Sequence, residues 1–231
     1  KYWDGKIRLY DMRKNEIYTG LVDRVISFCN RKGYTYEFEG SKFYGLPLEE
    51  NEMISPEGVT DYVRSISNHK PRPYQIMGIH DALRHNRKLL LSPTASGKSL
   101  MIYAITRYHV EHERRILIVV PTTSLVEQMY KDFEDYGWNV EKHCHRVYAG
   151  RDKTSDYDVT ITTWQSIYKL DRKYFNHFDV VIGDEAHLFK SKSLVNIMTK
   201  MLDCKYRYGF TGTLDGTQTH KWVLEGLFGP T

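Results

Sequence analysis

The run Ser92-Pro93-Thr94-Ala95-Ser96-Gly97-Lys98-Ser99 is where residue type and spacing point most directly to chemistry. It follows the apolar triplet Leu89-Leu90-Leu91 and opens a stretch with helical spacing from Lys98 to Glu111. Strand, loop and helix in that order are the setting of a phosphate-binding loop. Backbone amides around Thr94 and Ser96, with the positive end of the helix, hold anionic oxygens in such a loop. Gly97 lets the backbone close around phosphate, Lys98 would neutralise β- and γ-phosphate charge, and the Ser99 hydroxyl would ligate Mg²⁺. The loop departs from the usual pattern at its first position, where Ser92 stands in place of glycine.

A second group, Asp184-Glu185-Ala186-His187, comes directly after the apolar strand Val180-Val181-Ile182. That order puts two carboxylates at the carboxyl edge of a sheet, where open αβ folds bind ligands. Asp184 would hold Mg²⁺, directly or through water, and Glu185 would orient and deprotonate an attacking water. Lys98 and Asp184 lie 86 residues apart, with two strand–helix units between them. Such spacing lets both loops converge on one nucleotide, so ATP hydrolysis is the expected chemistry.

These residues need a sheet to carry them. From Pro73 onward, apolar strands alternate with helical spacing: strands at 89–91, 116–120, 159–163, 180–182 and 206–210, helices at 98–111, 124–133 and 194–201. The pattern predicts an α/β fold whose parallel sheet is covered on both faces. Before it, residues 6–10, 16–18 and 34–38 read as short strands. Residues 21–29 read as a helix capped by Thr19 and ended by Gly33, and Ser55-Pro56-Glu57 starts another helix. The expected organisation is a small α+β module over 1–66, a connector at 67–73, and the nucleotide-binding domain over 67–231.

Composition sets the limits. The 231 residues are 41% hydrophobic and 13% aromatic, enough for a core, with a net charge of +4 that permits a nucleic-acid partner without demanding one. Residues 1–33 hold eight basic and four acidic side chains, and 34–63 hold seven acids against Lys42. Cys29, Cys144 and Cys204 are too scattered for a disulfide framework, which suits a reducing, cytoplasmic setting. Alternation along a strand would point Cys144 away from His143 and His145, which argues against a metal there. No apolar run approaches the ~20 residues of a membrane span. The first residue is lysine and no signal-peptide pattern follows, so an internal fragment is expected.

Over residues 72–231 the set resembles a superfamily-two helicase of the DEAH-box-like kind, with a RecA-like fold. The resemblance implies that Gln75 of Arg72-Pro73-Tyr74-Gln75 bonds the adenine edge and that Arg72 lies against the base. It implies that Pro121 and Thr122, in the run Val119 to Gln128, and Thr163 and Trp164, in Thr160 to Ser166, line a single-strand track. Hydroxyls and amides at strand ends can hold phosphates without reading sequence. Trp164 is either a base-stacking platform or a core residue. Thr211 and Thr213, in Gly209 to Leu214, resemble the element that links the nucleotide site to nucleic acid, with His187 as the neighbouring coupling residue.

Members of this superfamily place a second RecA-like domain with arginine fingers after that element, and no such residues follow Leu214 here. Because an arginine finger is worth about 10³–10⁵ in rate, poor turnover is expected of these 231 residues alone. Tyr2 to Asp11 resembles the amino-terminal domain of phage UvsW-type recombination helicases, which implies branched DNA as substrate. Lys6, Arg8, Arg13 and Lys14 would then be duplex contacts. Expected partners are single-stranded and branched duplex DNA, with ATP and Mg²⁺ as cofactors, no membrane, and a monomeric chain. A restriction-enzyme motor subunit and a nucleotide-binding module without turnover are the competing readings. A P-loop small-molecule kinase would not need the Pro121-Thr122 and Thr162-Thr163 elements.

Overall fold

The computed structural model describes residues 7–38, 44–47, 54–93, 95–148, 153, 156–214 and 218–231. Its centre is a six-stranded sheet: β3 (Arg87–Leu91), β4 (Ile116–Val120), β5 (Cys144–Val147), β6 (Val159–Thr163), β7 (Val180–Gly183) and β8 (Tyr206–Thr211). The spatial order is β3-β8-β7-β4-β6-β5 and every pairing is parallel, as the alternating pattern predicts.

Two cores sandwich the sheet, and the central strands feed both by alternation. Ile116, Ile118 and Val120 enter one core with Ile182 and Phe210, whereas Leu117 and Val119 enter the other with Val181 and Phe228. Helices α2 (Pro56–Ile66), α3 (Pro73–His85), α4 (Lys98–Glu111) and α5 (Thr123–Asp135) cover the first face. The short α7 (Trp164–Ile167) and α8 (Arg172–Phe175), with α9 (Lys192–Lys200) and α10 (Gln218–Phe228), cover the second. A four-residue α6 (Val140–His143) leads into β5. Among the described residues no helix is long and apolar enough to cross a membrane.

The N-terminal segment departs from expectation in three ways. Only β1 (Tyr10–Asp11) and β2 (Glu16–Ile17) pair, as a short antiparallel hairpin whose turn is held by Asp11 Oδ1 accepting from the amides of Arg13 (2.9 Å) and Lys14 (3.3 Å). Residues 34–38 form no strand and pair with none among the described residues; Tyr34, Tyr36 and Phe38 stay exposed. Thr19 does not cap α1 (Val22–Lys32) but opens a 3₁₀ turn, Thr19–Leu21, pressed on α10. A Cβ at Gly20 would sit 2.0 Å from the Glu225 carbonyl. Gly33 ends α1 in the left-handed region, at φ 71°, as expected.

The two helices of the N-terminal segment settle on different parts of the larger body. Arg24 of α1 pairs with the buried Glu225 of α10. α2 starts as its sequence predicts, with Ser55 Oγ accepting from Gly58 N at 3.0 Å. It then packs on α3 and α4, with Val59 and Val63 in the same core as Ile79.

Candidate nucleotide site and nucleic-acid edge

All six strands point the same way, so the loops after them gather along one edge. The register pairs Leu91 with Thr211, Gly183 with Gly209, and Val120 with Thr163. Along that edge the order is therefore the Ser92–Ser99 loop, Thr211, Asp184-Glu185, Pro121-Thr122 and Thr163-Trp164.

Lys98, the first residue of α4, reaches across to the end of β7. Its Nζ is 2.8 Å from Asp184 Oδ1 and 2.6 Å from Glu185 Oε1. Burial alone would push the ammonium's pKa down, but the hydrogen bonds and charges of Asp184 and Glu185 outweigh it and raise the pKa above its usual value. Asp184 is anchored by its own amide donating to Val119 O at 2.9 Å. Its Oδ1 also accepts from Glu185 N at 2.9 Å. Glu185 sits in the left-handed region at φ 51°, a conformation a non-glycine residue adopts at a cost and one that concentrates at functional sites. Gly183 is required just before it: a Cβ there would lie 2.7 Å from the Phe189 ring and 2.8 Å from Phe228.

A chain of polar contacts runs on from Glu185. His187 Nδ1 lies 3.3 Å from Glu185 Oε2 and 3.0 Å from Thr211 Oγ1. The Thr211 hydroxyl donates to Thr213 O at 2.7 Å, so it accepts from His187, and Nδ1 carries the proton. Thr211 O in turn accepts from Ser92 N at 2.7 Å. Lys98, Asp184, Glu185, His187, Thr211 and Thr213, singled out separately in sequence, form one connected cluster.

The phosphate-loop residues hold one another. Ser92 is buried, and its Oγ lies 2.6 Å from Ser96 Oγ, so the serine that replaces glycine pins the loop from within. Gly97 takes φ 73°, and a Cβ on it would meet Gln75 Nε2 at 2.3 Å. Thr94 lies outside the described residues, as does Lys6.

Four expected roles meet a different placement. The Gln75 amide bonds its own chain: Oε1 accepts from Arg72 N (2.8 Å), and Nε2 donates to Ser96 O (2.9 Å) and Gly97 O (3.2 Å). Reading an adenine edge would require it to exchange one of these bonds. The Arg72 guanidinium donates to Tyr74 Oη at 2.9 Å, and Tyr74 donates to Ser96 O at 2.7 Å. The Ser99 hydroxyl lies 2.8 Å from Tyr136 Oη, a partner it would have to give up to ligate an ion beside Asp184. Thr163 is buried, its hydroxyl 2.9 Å from Ser166 Oγ, which leaves no exposed hydroxyl for phosphate.

Pro121 is half-buried and Thr122 exposed, though the Thr122 hydroxyl caps α5 through Leu125 N at 3.3 Å. Trp164 is half-buried against the second core, edge-on to Tyr168 at 5.8 Å. Arg8 and Lys14 are exposed on the N-terminal hairpin and line a cleft with Arg87 and Arg207, at the opposite end of the strands from Lys98. Tyr74 and Tyr136 are contacts that sequence reasoning missed: Tyr74 lay inside the Arg72–Gln75 run without a role of its own, and Tyr136 lies outside any motif.

The donor set suits magnesium in part. Asp184 offers a hard carboxylate oxygen in a place already built around a cation, which fits Mg²⁺ ligation by one or two carboxylates plus substrate phosphates.

Residues 68–216 match the family model described as Type III restriction enzyme, res subunit. Over 98% of its length the chain is 30% identical to the ATP-dependent DNA helicase uvsW of Enterobacteria phage T4, and it spans 46% of that relative. A crystal structure of the UvsW helicase from bacteriophage T4 superposes with a TM-score of 0.82 at 30% identity, covering 99% of this chain and 82% of that one. The Sulfolobus solfataricus SWI2/SNF2 ATPase core, solved in complex with dsDNA, shares the fold at a TM-score of 0.60 and 20% identity, over 71% of this chain and 36% of that one. The six-stranded parallel domain is thus RecA-like, and the chain belongs to the superfamily-two helicases of the Type III restriction enzyme res subunit family, with the UvsW helicases among its relatives.

Proposed function

We propose that the chain is the ATP-binding part of a DNA motor that hydrolyses ATP to translocate on, and remodel, branched DNA. The observation that carries this reading is the Lys98 ammonium between Asp184 and Glu185 at the sheet edge, wired through His187 to Thr211. Lys98 would move to the β- and γ-phosphates. Glu185, released from Lys98, would accept the proton of the attacking water. Mg²⁺ held by Asp184 would supply charge neutralisation of the phosphates. The chain Glu185–His187–Thr211 would report the state of that water to the DNA-facing edge at Pro121, Thr122 and Trp164.

One relative and one family model inform the substrate. The T4 relative's name specifies DNA, and its likeness runs through the N-terminal segment as well as the RecA-like domain. That reach favours the helicase over a restriction motor subunit, although the matching family model carries the restriction name. The chain spans about half of its curated T4 relative, so turnover belongs to the protein with its remaining motor parts. We place it in the cytoplasm, that of the host cell if the protein is phage-encoded, acting as a monomer.

The test is ATP hydrolysis by the whole protein with single strands, linear duplexes and four-way junctions side by side. Junctions should stimulate it most. Equal rates with and without every DNA would remove the motor reading.

A further inference from the structure

The opposite ends of β3 and β8 hold an arrangement that the nucleotide site does not use. Arg87 and Arg207 are register partners on these adjacent parallel strands. Their side chains therefore leave one face of the sheet from backbones roughly 5 Å apart. Both are 7% exposed. Like charges side by side on a sheet repel, and a buried charge is costly without partners.

Arg207 has its partners. Nε donates to Cys204 O (3.1 Å), Nη1 to Met198 O (3.2 Å) and Leu227 O (3.4 Å), and Nη2 to Met201 O. Those carbonyls lie at and just beyond the C-terminal ends of α9 and α10, which favour a cation. Arg87 has none. Its Nε is buried without a hydrogen-bond partner, and among the described residues no carboxylate pairs with it. Burial, with the Arg207 charge beside it, lowers its pKa to about 9.

Arg87 also lines an open cleft of about 1260 Å³ between the N-terminal hairpin and the α9–α10 side of the body. Arg8, Arg13 and Lys14 line the hairpin side of the same cleft. Two carboxylates, Asp11 and Glu16, also line it, and that of Asp11 is occupied by the amides of Arg13 and Lys14. The floor thus has a buried guanidinium without a counter-charge among the described residues, and the whole lining has five cations, Arg8, Arg13, Lys14, Arg87 and Arg207, against two acids.

We propose that this cleft is a phosphate-binding site, with Arg87 as its buried anchor and Arg8, Arg13 and Lys14 at its mouth. The planar guanidinium fork matches a tetrahedral oxyanion and would gain from it the counter-charge that it lacks. The site lies at the start of β3 and the Lys98 loop follows its far end, about 13 Å along the strand at 3.3 Å per residue. The phosphate comes either from a DNA backbone or from free phosphate. The DNA source rests on the proposed motor activity; a branched molecule would put one arm on the motor edge and another in the cleft.

The test is thermal unfolding of wild type and Arg87→Gln over a phosphate titration at constant ionic strength. Any phosphate held by the Lys98 loop acts equally in both, so the difference isolates Arg87. Wild type should show about tenfold tighter apparent phosphate affinity than the variant, as loss of a charge-assisted contact implies. Without phosphate, the variant should melt no lower than wild type, because the charge removed was unpaired. Equal phosphate responses would overturn the site. If Arg87→Gln does not fold, the exposed pair Arg8→Glu and Lys14→Glu replaces it: a smaller phosphate shift supports the site and an unchanged shift overturns it. The source is read from duplex binding against salt. A log–log slope shallower by about 1 in Arg87→Gln assigns DNA phosphate; an unchanged slope with the phosphate response lost assigns free phosphate. Neither titration uses ATP turnover, so failure of the motor reading would leave the cleft standing.

Discussion

Glu185 is shared between two partners: Oε1 accepts from Lys98 Nζ at 2.6 Å, and Oε2 lies 3.3 Å from His187 Nδ1. A triphosphate that draws Lys98 away breaks the first contact and leaves the second. The carboxylate is then free on one oxygen to take a proton while His187 holds the other in place. Binding and readiness for hydrolysis are in this way one rearrangement.

Glu185→Gln keeps the hydrogen bond to Lys98 through the amide oxygen but cannot accept a proton. ATP binding should persist while hydrolysis by the whole protein falls about 10²–10⁴-fold, the usual contribution of a general base. Steady-state turnover beside nucleotide titration measures both, and near-normal turnover would take the base role from Glu185.

Gly97 and Gln75 are coupled through a 2.3 Å approach of the would-be Cβ to Gln75 Nε2. Gly97→Ala should destabilise the protein by about 2 kcal/mol, part from φ 73° and part from the clash. Adding Gln75→Ala removes the clash and should recover roughly half of that loss. Strict additivity in denaturant midpoints would show that the two do not meet.

Thr211→Val keeps the side-chain volume, removes the hydroxyl and with it the His187 Nδ1 hydrogen bond, leaving that nitrogen 3.3 Å from Glu185. The ratio of DNA-stimulated to basal hydrolysis should fall about fivefold, as loss of one hydrogen bond of about 1 kcal/mol allows. An unaltered ratio would cut Thr211 out of the coupling.

Acid should loosen the fold through His109, which is fully buried in α4. Its Nδ1 accepts from Arg114 Nη1 at 3.0 Å, so Nε2 donates to Tyr208 Oη at 2.9 Å and the ring is neutral. Burial first, then the Arg114 and His112 charges, holds its pKa well below 6.5. Below that pH the unfolded chain binds the proton and the folded chain does not. The stability is therefore present above about pH 6.5 and drains away as pH falls, by roughly 1.4 kcal/mol per unit. Urea midpoints between pH 7 and 5 should drop in wild type and drop less in His109→Gln; identical slopes would exclude His109.

The legible parts of this protein are those in which local order and long-range position coincide. The loop of Lys98 and the acids 184 and 185 each follow an apolar strand, and a parallel sheet brings such loops to one edge whatever the intervening detail. The partners that side chains take along that edge were not legible. Gln75 reads as an adenine contact until its amide is seen on Gly97, and Ser99 as an ion ligand until Tyr136 is seen beside it. Alternation at 34–38 imitates a strand, but a strand also needs a neighbour to bond. α2 precedes the connector in sequence yet belongs to the α3–α4 core, because Val59 and Val63 find their apolar contacts there. Arg87 and Arg207 look like ordinary charged strand starts, and only the register reveals that they are adjacent.

The most direct check on the shared pocket is a fluorescent-ATP titration in Mg²⁺ of wild type, Lys98→Ala and Asp184→Asn, with circular dichroism confirming that each is folded. The arrangement predicts that wild type binds and that both variants lose at least about tenfold in affinity, as removal of a charge-assisted phosphate or ion contact requires. Wild-type affinity in both folded variants would contradict a triphosphate site between Lys98 and the acids.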